Sequence, residues 1–111
     1  MIIKTYKIDG KAVSALKKVI ELPEAMVEGK WQINEFARNG YLFQSAVALG
    51  MKGDEYYLYI KGEEPFFKAN EQKIKLEGVT ELKGKEYDEI KSKFEAGEES
   101  VAAGVGAVFD F

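Results

Sequence analysis

Neither cysteine nor histidine occurs anywhere in the chain. Their absence removes disulfides, thiolate nucleophiles, imidazole acid–base groups and the usual soft metal ligands together. Arginine is reduced to Arg38, so there is almost no capacity for the bidentate guanidinium contacts that read guanine or clamp phosphate. No stretch approaches the ~18 consecutive apolar residues of a membrane span. The opening residues, Met1-Ile2-Ile3-Lys4-Thr5-Tyr6-Lys7, lack the long apolar segment of a secretory leader. These absences lead us to expect a cytoplasmic protein with no membrane contact and no cofactor.

Sixteen basic residues stand against nineteen acidic ones, a formal net charge of −3. That balance opposes attraction to phosphate backbones, and a nucleic-acid partner is not expected. With 46% apolar residues in 111 positions, the chain suffices for one core and one domain, 1–111. A small domain keeps a large surface for its volume, which favours covering part of it with a second copy.

Residues 1–8 alternate as a strand does, and Asp9-Gly10 stops the run. Over 11–22, Val13, Leu16, Val19 and Ile20 recur at helical spacing until Pro23 closes the segment, with Asp9 placed to cap it. Pro23 and Gly29 bracket what reads as a short helical turn. Asn39-Gly40 suits a two-residue type I′ hairpin between 31–38 and 41–49, which would set Phe36 opposite Phe43. The competing reading makes 31–38 a helix that Asn39-Gly40 terminates.

Glu55-Tyr56-Tyr57-Leu58-Tyr59-Ile60-Lys61 is rich in aromatic and β-branched residues and reads as the firmest strand. One or two more strands are expected over 66–69 and 73–76, with Gly78, Val79 and Thr80 leading out of the sheet. Tyr87, Ile90 and Phe94 line one side of a helix over 85–96. The segment 98–111, with Val101, Val105 and Val108 at helical spacing, is expected as a packing or oligomerisation tail. Together these elements predict an α+β fold, an antiparallel sheet of four or five strands with two or three helices packed on one face.

Chemical motifs are few. Gly104-Val105-Gly106 has the opening glycines of a dinucleotide fingerprint but no following strand and no acidic residue ~20 positions on. Glu95, Glu98, Glu99 and Asp88 form the densest acidic patch, interleaved with Lys91 and Lys93 and without calcium-loop spacing. Glu35, Glu55, Glu63 and Glu64 are the candidates for a carboxylate pair, with nothing in their spacing to make two converge. No catalytic, cofactor-binding or metal residue is therefore assigned.

What stands out is aromatic and apolar surface. Alternation sends Tyr56 to one side of its strand and Tyr57 and Tyr59 to the other, Phe66 and Phe67 follow, and Phe109-Asp110-Phe111 closes the chain. The expected interaction surface comprises Tyr57, Tyr59, Phe66, Phe67, Val101, Val105, Phe109 and Phe111. The reading is a non-catalytic, self-associating protein-interaction module, with itself as a homodimer or another protein as partner. The alternative is a small-ligand-binding domain or carboxylate-based enzyme with a pocket between sheet and helices, near Tyr57, Tyr59 and Glu35.

Overall fold

A computed structural model describes the backbone of residues 1–104 and the side chains of residues 1–97. The fold is α+β. Its centre is strand β1 (Ile2–Ile8) paired antiparallel along its whole length with β5 (Tyr56–Gly62), from Ile2 opposite Gly62 to Ile8 opposite Tyr56. On the far side of β5 lies β4 (Leu42–Ser45), and on the far side of β1 lies β6 (Val79–Glu81), giving the order β4-β5-β1-β6. Two short strands, β2 (Ala25–Val27) and β3 (Lys30–Gln32), pair, among the described residues, only with each other in a separate sheet.

Side-chain alternation makes both faces of the main sheet apolar, and each is covered. Tyr6, Ile8, Leu58 and Ile60 share one face, where Ala12, Leu16 and Ile20 of the first helical segment, Phe36, Phe67 and Ile74 close over them. Helix α1 (Val13–Ile20) supplies Leu16 and Ile20, both with no exposed surface. The opposite face carries Tyr57 and Tyr59, and there Ile90 and Phe94 of α4 (Gly84–Gly104) complete a second cluster with Ala46 and Leu82. Helices therefore cover both faces of the sheet rather than one. Strand β5 reads as nearly continuous apolar sequence because a doubly covered strand has no solvent side, whereas β1 carries Lys4 and Lys7.

Four local expectations are corrected. Asn39-Gly40 does not turn a hairpin. Residues Glu35–Asn39 form helix α2, begun by Asn34, whose side-chain oxygen accepts from the Ala37 N–H, and stopped at Gly40 with φ 92. Phe36 and Phe43 accordingly belong to a helix and a strand, not to facing strands. The expected strand over 66–69 is helix α3 (Glu64–Asn70), with Pro65 in its first turn, where a missing N–H costs nothing. Residues Glu71–Ile74 continue as a 3₁₀ turn. Val79 does not lead out of the sheet but pairs with Ile8 as an edge strand. In place of the helical turn expected over 23–29, Ala25–Val27 is strand β2, and the chain turns at Glu28-Gly29 into β3.

Candidate interaction surface

Exposed large apolar side chains cluster on and beside the β2–β3 hairpin. Val27 lies opposite Lys30, so Glu28 and Gly29 alone form the loop. Their φ angles of 48 and 81 are both positive, as a type I′ turn requires. In the register, Met26 faces Trp31, and a directly opposed pair of this kind puts both side chains on one side of the ribbon. Met26 remains 62% exposed and Trp31 54%, with Val27 and Ile33 each above 40%. No strand of the main sheet pairs with either strand of the ribbon.

An isolated two-stranded hairpin is marginal in water, and here its base is tied down. Glu24, just before β2, receives two hydrogen bonds from Arg38 of α2, Nε to Oε2 at 2.8 Å and Nη2 to Oε1 at 2.9 Å. The Asn34 N–H donates to the same carboxylate at 3.0 Å. These hydrogen bonds, those from Arg38 first, hold the Glu24 carboxyl down at about 2 and push the Arg38 guanidinium up. Asn34 is buried and works in two directions. Its amide nitrogen donates to the Ile20 and Leu22 carbonyls at the end of α1, while its oxygen caps α2. Gln32 donates from Nε2 to the Pro23 carbonyl at 2.6 Å, closing the ribbon's open end. The only arginine of the chain is thus spent on a fixed contact.

The residues singled out from sequence lie elsewhere. Tyr57, Tyr59 and Phe67 are buried, and Phe66 is half-buried with its ring edge-on to Phe36 at 5.4 Å and to Phe67 at 5.3 Å. The phenol of Tyr57 donates to Glu55 and that of Tyr59 to Glu95. Tyr57 is pushed up to about 12, by burial first and by the Glu55 carboxylate next. These four rings bind the sheet to its helices. Val101 falls within α4, and its side chain, with Val105, Phe109 and Phe111, lies outside the described residues. Met26 and Val27 escape the sequence reading because Pro23 suggests a helical start, and Trp31 and Ile33 because the Asn39-Gly40 hairpin reading takes them for the core side of a strand. The legible signal was Glu28-Gly29 set between two short β-compatible runs.

No pocket joins Tyr57, Tyr59 and Glu35. The two tyrosines sit beneath α4, whereas Glu35 is exposed on α2, whose Phe36 covers the opposite face. Glu63 and Glu64 are exposed at the start of α3, and Glu95 of the acidic patch is engaged by Lys91 and Tyr59. An open groove of about 840 Å³ runs along α1, lined in part by Val13, Lys17, Lys18, Leu22, Pro23 and Tyr56. None of the buried polar side chains, Thr5, Asn34 and Asn70, lines it.

A second polar cluster is equally committed. Lys4 Nζ lies 2.9 and 2.8 Å from the two oxygens of Glu71, and the Tyr6 hydroxyl donates to Glu71 at 3.0 Å. Burial, followed by the bond to Glu71, pushes the Tyr6 phenol above its usual range. At Glu71 burial works upward but is outweighed by the hydrogen bonds from Lys4 and Tyr6, so the carboxyl is held low. The group fastens the Glu71–Ile74 turn to β1.

No protein-family model, curated protein or solved structure matches this chain. Among the described residues no helix is long and apolar enough to cross a membrane.

Proposed function

We propose that this chain is a non-catalytic protein-interaction module that self-associates and offers its β2–β3 hairpin as a contact element. The observation that carries the reading is the Met26–Trp31 pair, two large apolar side chains more than half exposed on a ribbon whose base is fixed by Glu24, Asn34 and Arg38. Tryptophan and methionine are enriched where proteins bind one another, and tryptophan dominates the energetic centres of such surfaces. A fixed base lowers the ordering cost of binding, because the ribbon is already in place when a partner arrives.

The test separates a contact surface from a piece of core. In the double variant Met26→Ser, Trp31→Ser, the melting temperature and far-ultraviolet circular dichroism should stay close to wild type, since neither side chain fills the interior. Sedimentation of the wild-type chain over a concentration series should show a heavier species growing with concentration. A monomer at every concentration would remove self-association, and a collapse of thermal stability in the double variant would make the hairpin structural.

A further inference from the structure

We infer that the second copy joins along strand β4, antiparallel across a two-fold axis at Gln44, to make one continuous sheet of eight strands. This rests on the self-associating reading above and says where the copies meet. The main sheet ends in two edges, β4 and β6, and the sequence treats them differently. Strand β6 is three residues long, carries Glu81, and is followed by Lys83, whose ammonium lies 3.7 Å from that carboxylate. Charges on a short edge are the usual device against unwanted strand pairing. Strand β4 reads Leu42-Phe43-Gln44-Ser45, with no charge, proline or glycine. A strand without charge can face its own copy with no like-charge repulsion, which the β6 edge does not permit as freely.

The backbone supports the same partner. Ala46 donates its N–H to the Glu55 carbonyl at 2.9 Å. Inter-strand bonds alternate along an antiparallel pair, so Leu42 and Gln44 turn their peptide groups toward β5, and Phe43 and Ser45 turn theirs outward. Among the described residues no other element bonds to the backbone of Phe43 or Ser45. With Gln44 opposite Gln44 of the second copy, Phe43 pairs with Ser45 of that copy and Ser45 with its Phe43, satisfying all four outward groups on each strand by exchange. Val47, the residue after next, is 69% exposed, and the incoming strand would cover part of it. An isologous contact of this kind closes at two copies, leaving both hairpins free for a different protein.

Placing Gln44 on the axis makes the test a charge exchange. Gln44→Lys and Gln44→Glu should each weaken the dimer about five- to tenfold, because like charges then face each other directly. An equimolar mixture of the two variants should recover wild-type association as a heterodimer, read by sedimentation velocity. Circular dichroism melts check that each variant is folded, and Trp31→Ser should leave the dimer unchanged. A dimer indifferent to both Gln44 charges, or one lost with Trp31→Ser, overturns the β4 interface while the self-associating reading survives. A monomeric wild-type protein overturns both.

Discussion

The pairs β1–β5 and β2–β3 are both antiparallel ribbons, yet they hold together for different reasons. The first runs seven residues on each strand, from Ile2 opposite Gly62 to Ile8 opposite Tyr56, with apolar side chains sealed on both faces. The second has three paired positions, and its largest side chains stand in solvent. Ladder hydrogen bonds contribute little net free energy, because water offers the unfolded chain equivalents. What separates the pairs is therefore the burial around them. The central pair is held by packing, and the hairpin is held at its root by a buried asparagine and a carboxylate clamp.

Ile60 gives the largest expected effect. It has no exposed surface and lies at the middle of the first core cluster. Truncation there removes transfer free energy and leaves a cavity, so Ile60→Ala should lower the unfolding free energy by about 2–5 kcal/mol in urea titration. The same truncation in the hairpin, at Trp31, should cost within about 0.5 kcal/mol. Equal losses at the two positions would dissolve the distinction between packed pair and anchored ribbon.

How much of this was visible in the sequence follows the same division. Strand β1 and helices α1 and α4 announce themselves because several apolar residues repeat at one period, and β5 through its run of aromatic and β-branched residues, and burial enforces what both signals suggest. The short elements carry too few residues for a period, and there single residues with two meanings misled. Asn39-Gly40 suits a hairpin turn and also a helix stop, and the buried Asn34 cap decided for the helix. Phe66-Phe67 looks like strand until Pro65 is taken as a first-turn helical residue. Pro23 looked like a helix start, yet its carbonyl instead receives Gln32 at the root of the hairpin. Tyr57 and Tyr59 were placed on a candidate surface because a sequence cannot say whether a second helix covers the other face, and α4 does.

Acid should loosen the anchored ribbon at its root. The Glu24 carboxyl stands at about 2 against an ordinary 4.5, held there chiefly by the hydrogen bonds from Arg38. A carboxyl lowered by folding adds stability that is present above the unfolded value and lost as the pH falls toward the folded one. The window for Glu24 is thus from about 4.5 down to about 2. Glu71 and Glu95 are lowered as well, so a global acid transition is expected besides. The discriminating signal is local. In NMR titrations the Met26 methyl and Trp31 indole resonances should shift within that window, and Glu24→Gln should abolish the shift while leaving the global acid midpoint nearly unchanged. A hairpin signal that follows the global transition in both proteins would tie the root to the core.

The smallest expected effect is a gain, and it asks whether the hairpin is a separate unit at all. Glu28 occupies the first loop position with φ 48, a left-handed conformation that costs a residue with a Cβ about 1–2 kcal/mol and that asparagine tolerates better through its short polar side chain. Glu28→Asn should recover about 0.5–1 kcal/mol of this at the turn. If the ribbon opens independently of the sheet, that gain appears as a two- to fivefold slowing, roughly, of amide exchange at Val27 and Lys30, the pair that flanks the loop. The melting temperature of the whole protein then stays where it was. Were the melting temperature to rise instead, with exchange at Val27 and Lys30 moving in step with that of Leu58 and Ile60, the hairpin would unfold only with the core, and the contrast between the two ribbons would be one of exposure but not of stability.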